Sequence, residues 1–223
     1  MTHWVDSIMV VIILMNLAIL ASSRISSCIR LVAFQGVVLG ILPLIINDNY
    51  FTMHSVFLSV ATITLKGIVF PWLLFRAMRE ANVHHEVEPL VGYSVSIFIG
   101  ILALIVSIWL SSRLPVPGER STFVIPVSFS TIIVGLFVII SRVKALNQVL
   151  GYLVLENGIY SFGTALLFEQ PLLIELGILL DIFVAVFVMG ITIFHISREF
   201  DHIDTDHLSE LADWVPNNSK GKR

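Results

Sequence analysis

Three ionisable side chains stand where the surrounding sequence offers them no water. Glu156, Asp181 and Lys66 each interrupt a run of about twenty mostly apolar residues, the length that crosses a bilayer. Counted from the nearer end of its run, Glu156 lies roughly 16 Å deep, and Asp181 and Lys66 roughly 14 Å, at the helical rise per residue. The hydrocarbon layer is about 30 Å thick, so all three fall near its midplane. Each costs about 3 kcal/mol to insert before it finds a partner. Low dielectric biases an ionisable group toward its neutral form, so carboxylates and an amine at this depth suit a proton or ion relay. The competing reading is a lysine–carboxylate pair that only fixes helix register. Intramembrane ionisable residues are functional by default, and Glu156, Asp181 and Lys66 are therefore read as relay groups.

Other polar residues could assist. Asn157 follows Glu156, and Gln148 precedes it by almost two turns, so both could line a water path. Glu175 lies close enough to the end of its run to reach interfacial water, as an access group or a plain interface residue. Asn16, Gln35 and His54 are more simply read as helix–helix hydrogen-bonding residues, and Gly36, Gly40, Gly151, Gly158 and Gly163 as points of close helix approach. Pro71 and Pro126 are expected to kink their helices. Two polar clusters, His84-His85-Glu86 with Glu88 and His202, Asp204, Asp206 and His207, lack a fixed framework for a metal and read as solvated segments. No metal or cofactor is expected.

The elements that must position these groups are membrane spans. The 223 residues are 57% hydrophobic and only 13% charged, too few charges to solvate a globule of this length. A net charge of −3 gives no basic footprint for nucleic acid. Cys28, the single cysteine, excludes an internal disulfide and any cysteine-built metal site on this chain alone. The first apolar run follows Asp6 and shows no cleavage pattern, so it reads as a span and not a signal peptide. Seven runs qualify: 5–21, 29–46, 51–75, 90–110, 123–140, 145–167 and 172–196. Each must be a helix, because lipid offers no partner for a free backbone group, which predicts an all-α bundle of seven transmembrane helices. Arginine and lysine gather on one side (Arg24, Arg30, Arg76, Arg79, Arg142, Lys144, Arg198, Lys220, Lys222 and Arg223), leaving Arg113 and Arg120 on the other. The positive-inside rule then puts the N-terminus outside and the C-terminus in the cytoplasm.

The chain also echoes itself. Ser23-Arg24 opens a span bearing Gln35 and Gly40, and Ser141-Arg142 opens another with Gly158 at the position matching Gly40. Phe75-Arg76-Ala77-Met78-Arg79-Glu80 resembles His195-Ile196-Ser197-Arg198-Glu199. This suggests a three-helix unit over 1–89, a linker helix and outer loop over 90–120, a second three-helix unit over 121–200 and a cytoplasmic tail over 201–223, with the repeats parallel.

The second unit carries a resemblance. Ser141-Arg142-Val143-Lys144 before the sixth span, Glu156-Asn157 within it, Asp181 in the next, and the run His202-Ile203-Asp204-Thr205-Asp206-His207-Leu208-Ser209-Glu210-Leu211 resemble the three-helix K subunit of bacterial complex I and the related C subunit of sodium/proton antiporters. As a seven-span chain it resembles membrane component E of hydrogenase-4 and formate hydrogenlyase complexes. The resemblance implies a non-catalytic inner-membrane subunit of an oxidoreductase complex. Its partners would be antiporter-like membrane subunits and a nickel–iron hydrogenase module, and its role proton or sodium translocation past Glu156 and Asp181. The sequence departs from the K subunit in two ways. Asp181 stands where that subunit has glutamate, and Glu156 lies one turn from the expected carboxylate if Asn157 is aligned with that family's asparagine. Lys66 has no counterpart there. A purely structural anchor subunit and a stand-alone ion transporter are the alternatives.

Overall fold

The computed structural model describes residues 2–46, 53–80, 90–114, 123–142 and 144–166, together with Phe183 and Gly190. The run 172–196 with Glu175 and Asp181, the tail, and the clusters at His84 and His202 lie outside the described residues. Every element described is helical: α1 (Thr2–Ala21), α2 (Ile25–Ile46), α3 (Met53–Thr64), a π turn (Leu65–Val69), α4 (Phe70–Glu80), α5 (Tyr93–Ser111), α6 (Val124–Ser141) and α7 (Ala145–Leu166). α3, the π turn and α4 follow one another without a break.

Among the described residues five helices are long and apolar enough to cross a membrane: Trp4–Ala21, Ile25–Ile45, Ser59–Arg79, Tyr93–Ser111 and Val124–Ser141. The protein is thus an all-helical membrane protein over its described residues. α7 matches α2 at 22 residues, but Asn147, Gln148, Glu156 and Asn157 lower its hydropathy. The second helix starts at Ile25, a turn before the expected 29, because Ser26, Ser27 and Cys28 continue the helix inward.

Packing follows the small residues. α6 and α7 make the most extensive contact, through glycines that let the two backbones meet. A Cβ added at Gly151 would lie 2.8 Å from the Ile139 nitrogen, and one at Gly158 2.8 Å from that of Ile132. α1 packs on α2, α5 and α6, while α2 also meets the π turn, α4 and α7. At Gly163, by contrast, an added Cβ meets nothing within 4 Å among the described residues, so the expected close approach is not found there. Pro126 occupies the first turn of α6, where a missing N–H removes no helical bond, so the expected kink has no cause.

Several buried serine and threonine hydroxyls bond within their own helix. Ser107, Ser128 and Thr131 each donate to the carbonyl four residues back at 2.7 Å. Helix ends are also tied together at one end of the bundle. The Leu90 N–H donates to the Ser141 carbonyl at 2.9 Å, and Arg142, just past α6, donates through Nη2 to the Leu20 carbonyl near the end of α1 at 3.4 Å. The ends of α1 and α6 therefore meet the approach to α5 at one end of the bundle, as antiparallel neighbours must.

Candidate functional site

The site begins with a local irregularity. Pro71 has no N–H to donate, and its ring crowds the carbonyl four residues back, at Gly67. The helix answers with a wider turn over Leu65–Val69, closed by a bond from the Phe70 N–H to the Leu65 carbonyl, five residues back. The kink expected at Pro71 is thus expressed one turn earlier, as a π turn, and π turns are frequent at functional sites. Lys66 sits inside it, 5% exposed. Gly36 on α2 admits the lysine stem, since a Cβ added there would lie 2.5 Å from the Lys66 Cβ.

α7 supplies the partners. The Lys66 ammonium forms a salt bridge with Oε2 of Glu156 and donates a hydrogen bond to Oδ1 of Asn157 at 3.0 Å. It also stands 5.1 Å from the centre of the Tyr160 ring, which presents its negative face to the cation. Tyr160 follows Glu156 by four residues and so shares its side of the helix. Both side chains of the ion pair are 4% exposed, where loss of either partner would strand the other charge.

From Asn157 a chain of hydrogen bonds runs head to tail across the bundle. Asn157 Nδ2 donates to Gln35 Oε1 at 3.5 Å. Gln35 Nε2 donates to Asn16 Oδ1 at 3.1 Å. Asn16 Nδ2 donates to Thr131 Oγ1 at 2.8 Å, and Thr131 donates to the Val127 carbonyl at 2.7 Å. Each amide turns its oxygen toward the Lys66 end and its nitrogen away. The chain thus orients dipoles toward the cation and joins α1, α2, α6 and α7 around the pair. It contains no ionisable group between Asn157 and Val127 and it stops at a backbone carbonyl. Its chemical effect is to position Asn157 and hold Lys66, which with Glu156 forms the ionisable pair at its end.

The structure therefore brings Lys66, Glu156 and Asn157 together, with Asn16 and Gln35 making the interhelical bonds expected of them. It separates Gln148, which is exposed and donates to the Arg142 carbonyl at 3.5 Å. Gln148 precedes Asn157 by nine residues, or about half a turn out of phase at roughly 100° per residue, which puts it on the far side of α7. Asp181 and Glu175 lie outside the described residues, and the His54 side chain is not among those described. Thr131 and Tyr160 were not foreseen. The spacing from Glu156 could have indicated Tyr160, but nothing marked Thr131 beyond a hydroxyl in an apolar run. Arg142, counted from sequence among the loop charges, is buried at 3% exposure because the helix ends close over it. Among the described residues no group of three or more histidine, cysteine or acidic side chains could hold a metal.

Comparison with known proteins adds context to this geometry. The uncharacterized protein Rv0085 of Mycobacterium tuberculosis is 33% identical over 207 residues, covering 91% of this chain and 93% of that protein. Hydrogenase-4 component E of Escherichia coli is 27% identical over 156 residues, covering 69% of this chain and 71% of that protein. The protein of the same name in Shigella flexneri matches to the same extent. No protein-family profile matches the chain, and neither does any solved structure.

Proposed function

The chain belongs to the family of the Mycobacterium tuberculosis protein Rv0085, and from that premise we propose that it is a membrane subunit of a hydrogenase-type complex that passes protons or sodium ions by way of Lys66 and Glu156. The similarity to hydrogenase-4 component E supports the complex. The observation that carries the ion-translocating role is the ion pair itself, buried between the π turn and α7 and backed by Asn157. Redox chemistry would take place on a nickel–iron hydrogenase module, with antiporter-like membrane subunits alongside. In this reading the chain has seven spans, α7 being the sixth and 172–196 the seventh, with the N-terminus outside and the C-terminus cytoplasmic. Lys66 then belongs to the first three-helix unit and Glu156 to the second, so the pair joins the two.

The chemistry follows from burial. A proton delivered to Glu156 breaks the pair and leaves Lys66 an isolated cation in low dielectric, which is costly. Lys66 then releases its own proton or turns to another carboxylate, and Asp181 at similar depth is the candidate. One proton enters, one leaves, and the pair reforms. The amide chain supports a second reading, a purely structural subunit, because it fixes helix register and ends on a backbone carbonyl.

Two experiments test the proposal. Gentle solubilisation, native separation and mass spectrometry of co-migrating chains should find hydrogenase and antiporter-like subunits; a chain that runs alone contradicts the complex. Glu156→Gln and Asp181→Asn should leave the complex assembled while lowering ions moved per turnover. Lost assembly in both supports the structural reading, and unchanged pumping in both assembled variants contradicts the relay.

A further inference from the structure

A small recess lies beside the ion pair, between α2, α4 and α7. Its polar groups are Lys66 and Asn157. Its other walls are apolar, among them Ala33, Pro71, Leu74 and Leu153. Its volume is about 10 Å³, close to that of a single water and far below that of an acyl chain. A buried water needs two to four polar partners, and two line the recess: Lys66 Nζ, whose third N–H remains after Glu156 and Asn157, and the Asn157 amide, which has hydrogen-bonding capacity left over.

The recess also has a direction. Ala33 lies nearer the start of α2 than Gln35 does, Leu74 nearer the end of α4 than Lys66, and Leu153 nearer the start of α7 than Asn157. All three displacements lead toward the bundle end where Arg30, Arg76 and Arg79 are exposed. We propose that this recess is a hydration site through which Lys66 exchanges protons with water at the arginine-rich end of the bundle. A water held at Lys66 and Asn157 is the inner terminus of the route, and the apolar stretch past Ala33 and Leu74 is a gate that conducts when it wets and closes when it dries. The route deepens the relay reading and rests on it. It carries the proton that Lys66 releases to one face only, and a net movement of ions requires such one-sidedness.

The test uses the assembled complex in membrane vesicles of both orientations, in a Cys28→Ser background. Ala33→Cys and Leu74→Cys are exposed to silver ion on one face, and the thiols still free are counted by alkylation after denaturation. Phe34→Cys, at a position 56% exposed on the outer surface of the same helix, is the lipid-facing control. Both recess thiols should be blocked when silver is added at the arginine-rich face, with the control at least tenfold slower. Blocking only from the opposite face, or from neither, overturns the proposal. Ala33→Leu, which fills the recess, should lower ions moved per turnover at least fivefold in the assembled complex; an unchanged ratio also overturns it. Thiols that block as expected in a protein whose Lys66→Met and Glu156→Gln variants still pump would uphold the hydration site and remove the relay, so the two claims fail separately.

Discussion

Lys66 and Arg142 are both buried cations, 5% and 3% exposed, and the fold answers them differently. Lys66 faces a carboxylate, a side-chain amide and an aromatic ring near the middle of the bundle. Arg142 lies at one end of the bundle, where Nη2 meets the Leu20 carbonyl and the guanidinium stands 5.6 Å from the Tyr93 ring, while Nη1 has no partner among the described residues. An arginine does not deprotonate in a protein, so Arg142 can only hold its place. Its carbonyl partner lies near the C-terminus of α1, where the helix dipole favours a cation. The lysine and its carboxylate can both change charge, and each change alters the cost of the other. On the relay reading proposed above, Lys66 is the group that switches and Arg142 a latch between helix ends.

The comparison can be broken by removing each charge in turn. Lys66→Met strands Glu156 in the bundle and should destabilise the protein by about 3–5 kcal/mol if the carboxylate stays ionised, read as a lower midpoint of thermal unfolding in detergent. Lys66→Met with Glu156→Met removes both charges and should recover most of that loss, since an apolar pair of similar volume often replaces a buried ion pair without cost. A double variant as unstable as the single one would show that the pair is not a coupled unit.

Breaking the amide chain should have a smaller effect. Gln35→Leu leaves Asn157 Nδ2 and Asn16 Oδ1 without their partner, at about 1–3 kcal/mol for each buried group. It should also reduce ion movement only in part, because Asn157 still meets Lys66. Complete loss of pumping with assembly intact would make the chain part of the conducting route.

Arg142→Met should have the smallest effect, about 1 kcal/mol of stability, because it orphans one carbonyl and also removes a charge with no acid beside it among the described residues. Ions moved per turnover should not change in the assembled complex. A selective loss of pumping in Arg142→Met would erase the distinction between switch and latch.

The burial of Lys66 and Glu156 was legible in the sequence because one glutamate or lysine in an apolar run needs no tertiary information to be seen. Their meeting was not, since Lys66 and Glu156 are 90 residues apart and each apolar helix could face any other. Pro71 announced an irregularity, yet only the backbone shows that the helix widens at Lys66. Gln148 illustrates a phase error: closeness along the axis of α7 suggested a shared path, and the helical rotation places it on the exposed side. Arg142 was read as a loop charge because it follows an apolar run, and the closure of the helix ends over it is a tertiary event. Asn16 and Gln35 were legible as interhelical bonds for a simple reason. A carboxamide in a membrane span has little else to bond.

The most direct measurement is the number of protons or sodium ions moved per redox turnover in vesicles containing the complex with the Lys66→Met, Glu156→Met double variant. That protein should assemble and unfold near the native temperature, which removes instability as an explanation. The account predicts that redox turnover continues and ion movement falls severalfold or more. A double variant that assembles and moves ions at the native ratio would contradict it and leave the buried pair a structural fastening between two helices.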